Sequence, residues 1–304
     1  HVLERYLNQI TEEINDPLVD MSLKERRRAA MLVNGNERAQ TEARDRDDLR
    51  ISPLGSGSDY TPFLQHLGIA SANLSFGGEA SDGSYHTMYD TYAHYTRFRD
   101  PGLIYGAQLT RVMARATLRL ANAPRLPFEF NGLVDNIALY VSELEALADM
   151  MRSTTERENR LIAGGTYAAA MNPGSTLGPP SSKAPVPYFN FSPLQNALSR
   201  LEDAAEAYDR AAGASDMTNE EINRLLYTSE RLLTRDEGLD GRAWYKHHIY
   251  APGFYTGYGV KTIPGVREAI EQRDYDKVEP QIDIAAGVLN GMADRIEMLA
   301  GMLE

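Results

Sequence analysis

A chain of 304 residues with 42% hydrophobic and 24% charged side chains is long enough for one large folded domain or two smaller ones, and its composition is not that of a disordered protein. The formal net charge of -12 opposes nucleic acid and anionic membrane surfaces as partners, and the absence of cysteine removes disulfides, thiolate metal sites and cysteine nucleophiles. No apolar run approaches the roughly 18 residues of a membrane span, and no basic-then-apolar leader opens the chain. The start at His1 instead of Met reads as a processed, nicked or truncated polypeptide.

Val2, Leu3, Tyr6, Leu7, Ile10 and Ile14 recur at helical spacing and predict a surface helix over 2–14 packed on a sheet. Residues 23–50 are dense in charge, with K-E-R-R-R early and E-A-R-D-R-D-D late; the mixed signs read as a solvated face and not a binding patch. A short strand is expected over 49–54, a turn at 55–57, a helix over 60–67 with Pro62 in its first turn, and a second strand over 67–76. Strands alternating with helices predict an α/β layer whose loops gather at one sheet edge, where ligands commonly bind. The loop 77–84 then delivers Tyr85 and His86 together. An imidazole can hold a metal or move a proton near neutral pH, and a phenol can donate to a developing oxyanion; the same pair also fits a solvated structural turn. After Asp100-Pro101, the run from Leu103 through Leu109 and Val112 to Leu120 predicts a long helix ending near Pro124.

Composition shifts near Pro127, which divides the chain into 1–125 and 126–304. Leu133, Ile137, Val141, Leu144, Leu147 and Met151 form an apolar helical stripe, and residues 164–187 are an irregular Gly, Pro, Ser and Ala-rich connection. Ser192-Pro193 reads as an N-cap with proline at N1, and Thr218-Asn219-Glu220-Glu221 as a capping box, giving two antiparallel helices. A last helix runs from about Lys277, with Pro280 in its first turn and Gly287, Gly291 and Gly301 leaving room for a neighbour. The stripes at 133–151 and 282–303 exceed what one short bundle needs. Between these helices, residues 244–265 gather the one Trp and several aromatic side chains beside His247 and His248, whose adjacent imidazoles diverge and make poor joint ligands.

The segments L-G-S-G-S-D-Y (54–60), L-G-I-A-S (67–71), Y-H-T-M-Y-D-T-Y (85–92) and F-R-D-P (98–101) resemble the C-terminal part of the protease domain in the glutamate carboxypeptidase II family of zinc peptidases. L-P-F (126–128) and Y-K-H-H-I-Y-A-P (245–252) resemble the dimerisation domain that this family shares with the transferrin receptor. The resemblance implies the C-terminal portion of an α/β exopeptidase sandwich over 1–125 and an all-helical dimerisation domain over 126–304. It implies a two-zinc site that cuts a terminal residue from a peptide, with His86 as the one zinc ligand in this chain and Tyr85 stabilising the tetrahedral intermediate; the other ligands and the general base precede the point where the chain starts. It also implies a homodimer, a possible missing N-terminal half of the same protein, and an extracytoplasmic setting, periplasmic or secreted.

Ser56, Gly57, Ser58, Asn73 and Tyr258 correspond to substrate-binding positions, Tyr258 on a segment that reaches back over the active site. The family's carboxylate-binding lysine is replaced by Gly257 and a neighbouring asparagine by Thr256; an arginine pair is replaced by Asn73 and Ser75, and the Asn of the family's S-G-N-D motif becomes Ser58, while Ser56 and Gly57 remain. Neither Asn nor Ser pairs with a carboxylate as a guanidinium does, so neutral substrates, or aminopeptidase action, are expected in place of acidic dipeptides. A non-catalytic receptor-like dimer is the alternative reading within the same superfamily.

Overall fold

The fold was taken from a computed structural model that describes residues 1–78, 83–172, 174 and 176–304, so the middle of the expected 77–84 loop and two positions of the 164–187 connection lie outside the described residues. Helix α1 (Glu4–Glu12) buries Tyr6, Leu7 and Ile10. It packs on helices instead of the expected sheet: the Tyr6 hydroxyl donates to the carbonyl of Ala116 at 2.5 Å, on helix α4 (Ile104–Asn122). The charge-dense stretch folds into α2 (Leu23–Asn34) and α3 (Glu37–Asp45). Local signals explain both starts. Ser22 and Glu25 form a reciprocal capping box, and Asn36 caps α3 by accepting from Ala39 N–H at 2.9 Å.

The segments expected as strands over 49–54 and 67–76 carry no strand and no ladder. A strand exists only against a neighbour that satisfies its backbone, and here side chains take that part. Asn8 exchanges two hydrogen bonds with the backbone of Leu49, at 2.9 and 2.8 Å, and Ile51 N–H donates to the buried Glu4 carboxylate at 3.0 Å. The helix expected over 60–67 is a single wide turn, Pro62–His66.

In the C-terminal part, α5 (Asn131–Ala163), α6 (Ser192–Ala214), α7 (Glu220–Tyr227), α8 (Pro264–Glu271) and α9 (Tyr275–Leu303) pack together, with α6 lying along α9. Asn219, one residue after the expected Thr218, caps α7 by accepting from Ile222 N–H at 2.7 Å, and Pro280 lies beyond the first turn of α9. The apolar stripes of α5 and α9 are consumed within the chain: Leu133, Ile137, Leu144, Ile282, Leu289 and Ile296 are buried in one core that also holds Leu194 and Leu201 of α6. Each such side chain contributes about 1.5–3 kcal/mol by leaving water. The argument that these stripes exceed the needs of one bundle therefore fails. Gly287, Gly291 and Gly301, by contrast, face open space.

The one sheet among the described residues is the antiparallel hairpin β1 (Tyr250–Pro252) and β2 (Val260–Thr262), with Tyr250 opposite Thr262. Its base is locked by a buried polar cluster. The Glu230 carboxylate meets His247 Nε2 at 3.0 Å and accepts from the Tyr250 hydroxyl, while His247 Nδ1 accepts backbone N–H groups of Ile249 and Tyr250, both at 3.3 Å. An Nδ1 used as acceptor leaves the hydrogen on Nε2, so His247 is a positioned donor and not a free ligand.

Its neighbour His248 is buried with no hydrogen-bond partner for Nε2 among the described residues. Burial, reinforced by His247 and Arg235, lowers its pKa to about 4 from 6.5. The unfolded chain therefore binds this proton first, and the stability tied to neutral His248 is lost as pH falls from about 6.5 towards 4. Chemical denaturation is expected to show a loss of about 2 kcal/mol between pH 7 and pH 5. His248→Gln should reduce that pH difference; an unchanged slope in the variant would assign it to other groups.

Candidate functional site

Ser84 to Thr87 forms a tight turn in which Thr87 N–H donates to the Ser84 carbonyl at 3.0 Å and the Thr87 hydroxyl donates to it at 2.7 Å. Tyr85 and His86 occupy its two corner positions and point outward, both exposed. Their rings stack with centroids 3.8 Å apart. His86 has φ 63°, in the left-handed region that a side chain seldom adopts and that type II and I′ turns, unlike type I, take at i+2. Backbone strain of this kind, about 1–3 kcal/mol, is retained where the surrounding structure fixes it, and it concentrates at functional positions.

The turn at 54–58 is held from several sides. Gln65, fully buried, donates through Nε2 to the carbonyls of Leu54 and Gly55, both at 3.0 Å, and the Tyr60 hydroxyl donates to Ser56 O at 3.1 Å. Ser58 O accepts from Thr61 N–H at 3.0 Å, so this residue starts the following helical turn. The loop of the hairpin then closes on the same place. Ser56 N–H donates to Tyr258 O at 3.2 Å, and a Cβ on Gly57, whose φ is +99°, would stand 2.8 Å from the Tyr258 ring. Glycine is thus what lets the ring lie against the turn.

Of the expected site residues, the structure brings Ser56, Gly57 and Tyr258 together. Asn73 and Ser75 are exposed, and among the described residues no hydrogen bond or ring contact joins them, Tyr85 or His86 to that cluster. Phe76, Tyr85, Met88, Tyr89, Tyr92 and Phe98 are each exposed, and the Phe76 ring meets that of Tyr105 at a centroid distance of 5.1 Å. Sequence reasoning missed Gln65, Arg242 and Glu268, which fix the turn and the hairpin loop; a lone glutamine and two unremarkable charges at separations of tens of residues carry no local signal.

Residues 189–297 match the transferrin receptor-like dimerisation domain. A protein of Arabidopsis thaliana named a probable glutamate carboxypeptidase is 30% identical over 219 residues, covering 71% of this chain and 27% of that protein. A similarly named protein of Zea mays is 27% identical over 303 residues, covering 95% of this chain and 37% of that protein. The chain is thus similar over most of its length to the glutamate carboxypeptidase and transferrin receptor-like family, and residues 189–297 carry its dimerisation domain. An aminopeptidase of Rattus norvegicus is a further relative, 24% identical over 267 residues and matched over 31% of its length. The chain thus spans only a minor share of the length of these relatives.

Similarity to this peptidase family implies zinc, and the described residues do not by themselves fit it. No group of three His, Cys, Asp or Glu side chains among them stands close enough to hold a metal ion. A catalytic zinc takes about three protein ligands, whereas the site offers the single imidazole of His86. The isolated 304 residues are therefore expected to lose zinc completely on dialysis against a chelator; stoichiometric, chelator-resistant zinc by elemental analysis would overturn this.

Proposed function

We propose that this chain is the C-terminal part of a zinc-dependent exopeptidase that removes a terminal residue from peptides, with neutral substrates favoured over acidic ones. The observation that carries the reading is the closure of the Tyr258 loop on Ser56 and Gly57, since it draws a segment of the helical part and a turn of the N-terminal part to one place. In this reading residues 1–125 complete an α/β protease sandwich, and residues 126–304 are the dimerisation domain of a homodimer. A periplasmic or secreted setting belongs to the same reading.

Tyr85 donates its phenolic hydrogen to the oxyanion that forms when the peptide carbonyl becomes tetrahedral. His86 supplies one metal ligand, and residues outside these 304 supply the others and the general base. The exposed side chains of Tyr85, Met88, Tyr89, Tyr92 and Phe98 are those that such residues would cover. Ser56, Gly57, Ser58, Asn73 and Tyr258 shape the substrate pocket. The reading is tested by assaying the full-length protein for chelator-sensitive hydrolysis of dipeptides and aminoacyl amides; no hydrolysis of any of them after zinc loading would reject it in favour of a non-catalytic dimer.

A further inference from the structure

The hairpin that carries Tyr258 is short, three residue pairs, and its loop 253–259 is exposed beyond Gly253. Within the loop, Gly253 N–H donates to Gly259 O at 2.8 Å and the Thr256 hydroxyl donates to Gly259 O at 2.7 Å, which shapes the loop but does not aim it. Aim requires contacts from outside the hairpin. On the first leg these come from one ion pair. Arg242 Nη2 and Glu268 Oε2 are 2.7 Å apart, with only 11% and 14% of their side chains exposed.

Each partner also holds the loop backbone. Arg242 Nη1 donates to the carbonyl of Pro252, and Glu268 Oε1 accepts from Phe254 N–H at 2.7 Å. The Arg242 guanidinium carbon lies 5.7 Å from the Phe254 ring centroid and 5.8 Å from that of Tyr245, so flanking aromatic rings restrict where it can go. Behind Phe254, Gly241 leaves space that a Cβ would fill at 3.0 Å from the ring edge. The second leg is tied through Tyr258 O to Ser56 N–H.

We infer that Arg242 and Glu268 are positioning residues that hold the hairpin loop so that Tyr258 stands against the Ser56–Gly57 turn, and that they set substrate affinity without touching substrate. Charge-assisted hydrogen bonds of this kind are strong and directional, and the planar guanidinium reaches Pro252 O and Glu268 at once, which a lysine does not reproduce. The consequence for affinity rests on the exopeptidase reading; the mechanical part does not.

Two measurements keep these separate. In the 304-residue chain, hydrogen exchange at the Ser56 and Phe254 amides is expected to speed up about tenfold in Glu268→Gln, less in Glu268→Asp, with exchange in the α6 and α9 core unchanged. In the full-length protein, Glu268→Gln and Arg242→Lys are expected to raise KM for a neutral dipeptide about tenfold while kcat stays within about twofold. If Arg242→Lys fails to fold, the near-isosteric Glu268→Gln carries the test. Unchanged exchange at Ser56 overturns the clamp whatever the protein's activity. Faster exchange with a fall in kcat at constant KM overturns its role in substrate affinity, and faster exchange in a full-length protein without peptidase activity rejects the function and leaves the clamp standing.

Discussion

In the full-length protein, His86→Ala is expected to abolish peptide hydrolysis, and Tyr85→Phe to lower kcat by about 10²- to 10³-fold with a much smaller change in KM. The asymmetry follows from the two roles. Under the proposed roles, His86 would hold a metal needed for every substrate, whereas the Tyr85 phenol would donate a hydrogen bond made mainly as charge develops on the carbonyl oxygen. Both side chains are exposed, and neither anchors the core, so melting temperatures should move little. The left-handed backbone at His86 complicates alanine, which also dislikes φ 63°. His86→Asn is the better control because asparagine tolerates that conformation. Activity retained in both variants would remove His86 from the site.

Neutral substrates should be cleaved in preference to those ending in glutamate by about a hundredfold or more in kcat/KM. By the resemblance, Gly257, Asn73 and Ser75 would replace cationic groups that the resembled carboxypeptidases aim at carboxylates. A hydrogen bond to a charged group is worth about 1.5–3 kcal/mol, so the loss of two accounts for a factor of this size. Asn73 and Ser75 are exposed, and Gly257 has φ 60° with open space around it. A panel of dipeptides and aminoacyl amides assayed with added zinc decides the matter. A clear preference for C-terminal glutamate would mean that a cation from outside these residues performs the recognition.

The helical half was largely legible in the sequence because period and caps act locally: the apolar runs from Leu133 and Ile282 and the polar residues before Glu220 report on helices that these residues form unaided. The same locality misled over residues 49–54 and 67–76. Their composition suits a strand, but a strand is a property of a pair, and here Asn8 and Glu4 satisfy the backbone around Leu49 and Ile51 instead of a neighbouring strand. Helices α2 and α3 were hidden by their charge, although Ser22 with Glu25 and the Asn36 cap announced them. Tyr85, His86 and Tyr258 were singled out through resemblance alone, and the contact of Tyr258 with Ser56 spans about two hundred residues, beyond any periodicity. The Arg242–Glu268 clamp lacked both a motif and a periodicity.

The central claim is that these residues complete a metal-dependent peptidase. Its most direct test is hydrolysis of a neutral dipeptide by the full-length protein, measured as isolated, after chelation and after zinc is returned, alongside His86→Ala. The expected result is activity that chelation removes and zinc restores in the wild type, with no restoration in the variant. Zinc-restored activity of equal size in His86→Ala, or a zinc-loaded wild type that cleaves no peptide, would contradict it.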